Sequence, residues 1–237
     1  EKDRARVIKL FDENNSIVIH NGVDHEYLGS LSVSRNIVFK SIRCEDWKNK
    51  KILGTISRLS PEKGILNLLS AFSKIIPIMD DLRLIIVGGC SPEYRDYHAT
   101  VKGFIEQKNL TEHVRILGYQ QDAVKILKCM DFYVSSSLSE GLPISVLEAC
   151  ASGIPTVATE ITGNKDILSN SIFGVLVKPN CPESLARGII KMIKLTDNER
   201  DTLIQNARKR IKVHFSIDEM ALKTTLLYRK ILSEKVA

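Results

Sequence analysis

Four charged side chains carry the chemistry in this sequence. Glu140 and Glu148 bracket the stretch Gly141-Leu142-Pro143-Ile144-Ser145, and Arg58 and Lys63 share the stretch Ser57-Arg-Leu-Ser-Pro-Glu-Lys-Gly64. Two cations can hold a diphosphate. Two carboxylates repel an anion directly but accept hydrogen bonds from hydroxyls well. A ligand carrying both phosphate and sugar hydroxyls, a sugar nucleotide, would use all four. Each pair also has a plain reading. Glu140 could be N-terminal helix charge, Glu148 a salt-bridge partner, and Arg58 with Lys63 a solvated pair.

The elements that must position them are legible around the carboxylates. Phe132-Tyr-Val-Ser135 is β-branched and aromatic, as a buried strand requires. Glu140-Gly141 makes a turn, and an apolar helix follows over 143–152, with Pro143 at its first position. Gly153 and Pro155 mark its end. The polar residues inside it, Ser145, Glu148 and Ser152, fall on one stripe, so Glu148 faces something polar and half-buried. The N-terminus of that helix is an anion site in waiting. A helix predicted over 62–76 places Lys63 in its first turn, where a cation is misplaced unless an anion meets it.

From Lys51 onward, apolar strands alternate with helices. Strands are expected at 52–56, 82–87, 114–117, 132–135, 155–158 and 174–177. Helices are expected at 62–76, 93–108, 122–129, 143–152, 182–195, 197–213 and 217–233. That alternation predicts an α/β domain, a Rossmann-like parallel sheet with helices on both faces, whose ligands bind beyond the strands' carboxyl ends. Before it, residues 3–13 read as the end of a helix and Ser16–His20 as a strand. Residues 24–49 read as an irregular connector with little to bury.

Composition narrows the function classes. The 237 residues are 43% hydrophobic and 26% charged, and no apolar run approaches membrane-span length. The opening Glu1-Lys-Asp-Arg-Ala-Arg lacks a signal-peptide core. Five scattered cysteines without Cys-x-x-Cys read as reduced thiols, and the five histidines show no metal-ligand spacing. The expected location is cytoplasmic. Of the formal charge of +6, the segment from Glu183 to Ala237 supplies most, with twelve Lys/Arg against seven Asp/Glu, densest at Arg208-Lys-Arg-Ile-Lys212. Such a patch is a solvated helix face or a peripheral contact with an anionic membrane surface at its inner face. Nucleic acid is not expected, since aromatics do not interleave with the basic residues. Neither G-x-G-x-x-G nor G-x-x-x-x-G-K-[ST] is present, and there is no Asp-x-Asp triplet.

The order Asn21-Gly-Val-Asp24, Arg58-(x4)-Lys63-Gly64, Val87-Gly-Gly and Glu140-x7-Glu148 resembles glycosyltransferase family 4, from about Ile17 to Leu232. These are retaining enzymes of the two-domain GT-B fold. The resemblance implies the donor-binding, C-terminal half of such an enzyme. Residues 1–28 would be a remnant of the N-terminal acceptor domain and linker, 29–216 the donor domain, and 217–237 the helix that crosses back. By the same resemblance Arg58 and Lys63 grip the donor diphosphate, and Glu140 holds hydroxyls of the donor sugar. The backbone from Gly141 through Leu142, Pro143 and Ile144 to Ser145 meets phosphate or sugar, and Glu148 holds the ribose. The loop at Gly118-Tyr119 contacts the base. Arg58, Lys63 and Glu140 would be the catalytic set, with no metal and no cofactor beyond the UDP-, GDP- or ADP-sugar donor. The acceptor would be a saccharide or lipid-linked, as in cell-surface polysaccharide or glycolipid synthesis. One stretch departs from the family pattern: Thr162-Gly-Asn-Lys-Asp166 stands where Gly-Gly-x-Pro-Glu is frequent. The rival readings are a non-catalytic sugar-nucleotide-binding module and a glycoside hydrolase using Glu140 and Glu148.

Overall fold

The computed structural model describes residues 17–169 and 171–234. In chain order, α1 (His25–Ser30) and α2 (Arg35–Ser41) precede β1 (Lys51–Ile56), α3 (Ile65–Ile75), β2 (Leu82–Val87), α4 (Arg95–Gln107) and β3 (Val114–Gly118). There follow α5 (Ala123–Leu127), β4 (Phe132–Ser135), α6 (Ile144–Ser152), β5 (Thr156–Thr159), α7 (Thr162–Leu168) and β6 (Val175–Val177). The chain continues through α8 (Pro182–Ile193), α9 (Asp197–His214) and α10 (Ile217–Glu234). The strands form one sheet in the order β3-β2-β1-β4-β5-β6, with every pairing parallel.

Side chains alternate across the pleat, so each strand feeds two cores. Ile52, Ile85, Tyr133 and Ala158 face one side, against Leu127, Val146, Leu147, Ile211 and Phe215. Leu53, Leu84, Ile86, Val134 and Val157 face the other, against Leu68, Leu69, Phe72, Val101 and Ile189. Burial on both faces explains the near-continuous apolar strands.

The expected strands and the main helices are present, with bounds moved by a residue or two. Five expectations are corrected. Residues 24–49 are not a bare connector. They form α1, α2 and a 3-10 turn at Glu45–Trp47, and they contribute Leu28, Val38, Phe39, Cys44 and Trp47 to the first core. Residues 17–20 are not strand. Instead Val23 makes a single parallel bridge to Ser216 and tethers the start of α10. The expected helix end at 3–13 lies outside the described residues, as does Ser16.

The loop after β5 contains a helix, α7, whose Gly163 and Asn164 are buried. The helix expected over 62–76 is interrupted. Pro61–Lys63 is a 3-10 turn, Gly64 is left-handed at φ 63°, and α3 starts at Ile65. Finally, Pro143 is the N-cap of α6, one residue before the helix. Among the described residues no helix is long and apolar enough to cross a membrane.

The basic patch on α9 divides. Arg208 donates to the Ser152 carbonyl at 3.1 Å, and Arg210 donates to the Asp166 carbonyl at 2.9 Å while lying over Phe173 and Phe215. These two arginines hold α9 to α6 and α7. Lys209 and Lys212 are exposed.

Candidate functional site

The strand order reverses direction between β1 and β4: the chain leaves β1 toward β2 and leaves β4 toward β5. Loops beyond such a pair diverge and leave a crevice. An open cleft of about 100 Å³ lies there, lined by Ser57, Arg58, Lys63, Tyr133, Ser135, Ser136, Ser137, Glu140 and Ser145. The sequence separation of these residues is closed by topology alone.

Two hydrogen bonds to main-chain carbonyls stitch the two loops together. Leu138 N donates to the Glu62 carbonyl at 2.7 Å, and Ser136 Oγ donates to the Lys63 carbonyl at 2.8 Å. Gly64 is required between them. A Cβ there would lie 2.2 Å from Ser136 O, in a backbone conformation that L side chains avoid. On the β2 side, Gly88 (φ 146°) lets the Ser57 carbonyl approach to where a Cβ would stand 1.8 Å away. Thr159 Oγ1 donates to Ser137 O at 2.5 Å, and Asn164 Nδ2 donates to Thr159 O at 2.8 Å, so β5 and α7 brace the loop from behind.

Lys63 and Glu140 meet in the cleft, Nζ to Oε1 2.6 Å, and Ser137 Oγ donates to the same oxygen at 2.8 Å. Lys63 is thus not misplaced at a helix start but paired. Arg58 stands at the mouth, mostly exposed, 3.7 Å from Glu62. No side chain caps the first N–H groups of α6, which begins beside Glu140.

On the polar stripe of α6, Ser145 hydrogen-bonds Tyr133, whose hydroxyl also donates to Ile56 O at 3.3 Å. Burial pushes the Tyr133 phenol up to about 12, so it stays a neutral donor. Glu148 is half-buried and makes no hydrogen bond or ion pair among the described residues. Burial raises its carboxyl above the ordinary range. An unpaired carboxylate in that position can accept hydrogen bonds from two neighbouring hydroxyls. Ser152, the third stripe residue, is buried at the far end with its hydroxyl unpartnered.

Arg58, Lys63, Glu140 and Ser145 are therefore brought together in the cleft, with Glu148 one helical turn beyond Ser145. Gly141, Leu142, Pro143 and Ile144 form the link between them, and a Cβ on Gly163 would meet Gly141 O at 2.2 Å. Gly118 and Tyr119 do not line the cleft. They lie two strands away at the same edge, where Gly88 N donates to Gly118 O at 2.8 Å and Tyr119 is 79% exposed. Sequence reasoning passed over Tyr133, Ser137, Thr159 and Asn164. The one available signal was three consecutive serines, 135–137, at the end of a buried strand. Among the described residues no group of three or more His, Cys, Asp or Glu gathers as a metal set.

A doubly wound sheet with its cleft at the β1/β4 switch point defines a nucleotide-binding type of α/β domain, and it is the Rossmann-like half of the GT-B fold. Residues 40–210 match the family described as glycosyl transferases group 1, and the chain belongs to that family. An uncharacterized glycosyltransferase of Methanocaldococcus jannaschii is 31% identical over 95% of this chain and 57% of its own length. The UDP-Gal:alpha-D-GlcNAc-diphosphoundecaprenol alpha-1,3-galactosyltransferase of Escherichia coli is 28% identical, over 89% of this chain and 53% of its own. The crystal structure of Anabaena HepE in complex with UDP and glucose superimposes with a TM-score of 0.81 at 25% identity, covering 90% of this chain and 57% of that one. The chain thus spans a little over half the length of these relatives.

Proposed function

We propose that this chain is the donor-binding half of a glycosyltransferase that moves a sugar from a nucleoside-diphosphate sugar to a saccharide or lipid-linked acceptor. The observation that carries the reading is the Lys63–Glu140 pair at the switch point, beside an uncapped helix N-terminus, with the unpaired Glu148 one turn past Ser145 on the same helix. Arg58, Lys63 and the N–H groups of Gly141, Leu142, Ile144 and Ser145 bind the diphosphate. They stabilise the charge that develops on it as the glycosyl bond breaks, a preorganised donor being worth about 3–4 kcal/mol. Glu140 accepts hydrogen bonds from hydroxyls of the donor sugar, with Ser137 and Lys63 fixing its orientation. Glu148 accepts from the ribose, and the Gly118–Tyr119 loop contacts the base. The cations are side chains, so the donor grip works without a metal or cofactor.

The HepE complex supports a UDP-linked donor, and the Escherichia coli relative supports a lipid-linked acceptor. Retention of configuration, and with it family 4 within the group, is part of the proposal, as is a role in polysaccharide or glycolipid synthesis. Residues 29–216 act as the donor domain, the first 28 residues belong to the link with an acceptor domain, and α10 packs toward that domain. Exposed Lys209 and Lys212 offer a peripheral contact with anionic lipid at the inner membrane face. The test is calorimetric titration of the chain with UDP-, GDP- and ADP-sugars. Saturable binding of one nucleotide class is expected, and binding of none refutes the reading.

A further inference from the structure

The two cations of the cleft are held differently. Lys63 is close to Glu140, and both side chains are largely covered, each 16% exposed. Arg58 is 65% exposed, and its one ion-pair partner among the described residues is Glu62, with Nη2 3.7 Å from Oε1. That separation is too long for a hydrogen bond.

Glu62 itself is anchored. Ser60 Oγ donates to its Oε1 at 2.5 Å, and its carbonyl accepts from Leu138 N. It belongs to the 3-10 turn Pro61–Lys63, directly before the left-handed Gly64 that locks the turn against Ser136. The Ser60 hydroxyl, with Arg58 and Lys63 nearby, holds its carboxyl below the usual range, so it is anionic near neutrality. The cleft therefore carries two opposed charge pairs, one tight and one loose.

We propose that Glu62 is a positioning residue that parks Arg58 at the mouth of the cleft and competes with an incoming diphosphate for its guanidinium. The inference rests on reading the cleft as a diphosphate site. A diphosphate that enters takes Arg58 from a carboxylate fixed by Ser60, and the exchange breaks one weak, exposed pair. On release the same carboxylate reclaims the arginine. A fixed competitor of this kind keeps the site from trapping stray anions and lowers the affinity for the leaving nucleoside diphosphate.

The test titrates UDP, and separately inorganic pyrophosphate, into the chain and into Glu62→Gln, with Arg58→Ala and the double variant completing the cycle. Glutamine keeps an oxygen for the Ser60 hydroxyl and removes the charge. Glu62→Asp keeps the charge but shortens its reach to Arg58. Both Glu62 variants are expected to bind UDP and pyrophosphate about two- to five-fold tighter, the range an exposed ion pair spans, and less so as salt is raised. The gain should vanish when Arg58 is alanine. Equal or weaker binding by Glu62→Gln overturns the inference. So does an equal gain in both backgrounds, which would make Glu62 a plain through-space charge. If the unsubstituted chain binds neither probe, the reading of the cleft fails first and this inference with it; binding without the gain refutes the inference alone.

Discussion

Lys63 Nζ and Glu140 Oε1 lie 2.6 Å apart, although β1 and β4 bring them in from distant parts of the chain. The pair joins the two loops of the switch point through side chains inside the cleft. Its geometry makes the lysine a shared cation, held by a carboxylate yet open toward the cleft. An ion pair this covered draws most of its value from both partners being present, because removing one strands the other.

That sharing gives a divided outcome on substitution. Lys63→Ala is expected to weaken UDP binding by roughly 1.5–3 kcal/mol, the loss of a charged hydrogen-bond partner. Glu140→Gln should leave UDP binding intact or tighter, since the lysine is freed, while the preference for UDP-sugar over UDP falls. Calorimetry with UDP and UDP-glucose on both variants checks this. A Glu140→Gln chain that loses UDP and UDP-glucose in equal measure would remove the sugar from Glu140's role.

Glu148 should show a trade between stability and binding. Burial raises its folded-state carboxyl pKa above the unfolded value, so the folded chain holds the proton more tightly. Stability from this group is then greatest below the unfolded pKa. It falls as pH rises through the window up to the raised value, and the penalty persists above it. Glu148→Gln removes the penalty. In urea denaturation it should gain on the parent chain at pH 7 and show no gain at pH 4. Its UDP affinity should drop by roughly 1.5–3 kcal/mol as the ribose loses a charged acceptor and meets an amide NH2 in place of one carboxylate oxygen. No loss of affinity would leave Glu148 without a place in the site.

Donor binding should not respond to divalent metal. On the proposed reading Arg58 and Lys63, which line the cleft, meet the diphosphate in place of a metal, and the uncapped helix N-terminus adds its N–H groups. UDP titrations in EDTA and in magnesium should superimpose within error. Abolition by EDTA with restoration by magnesium would mean that side chains do not make the diphosphate grip.

Arg208 should matter for stability rather than as free basic surface. Its guanidinium donates to Ser152 O at the carboxyl end of α6, where Lys128 Nζ also donates at 3.3 Å. Cations are favoured at that end of a helix. Arg208→Ala should cost about 1–2 kcal/mol, whereas Lys209→Ala and Lys212→Ala should be near neutral. Urea denaturation of the three variants decides it, and equal effects would return the patch to the surface.

The strands and the larger helices could be read from the sequence because their signals are local. Burial on both faces of the sheet leaves runs such as Leu-Arg-Leu-Ile-Ile-Val in 82–87, and Gly153 before Pro155 stops α6 where the left-handed cap lies. The charged residues of the candidate site were legible for the same reason, Arg58, Lys63 and Glu140 standing in short motifs beyond a strand's carboxyl end and Glu148 on the polar stripe of the helix that follows. What the sequence could not decide was contact. Lys63 looked unpaired because its partner, Glu140, arrives through the β1–β4 pairing. Residues 24–49 looked like a connector because their few apolar side chains have no period, and only the finished core gives Phe39 and Trp47 a place. The break at Gly64 was hidden in the same way. Helical spacing ran through it, and the left-handed turn is needed only because Ser136 O lies against it. Local pattern set the elements, while the order of strands in the sheet set which loops would meet and therefore which charges share the cleft.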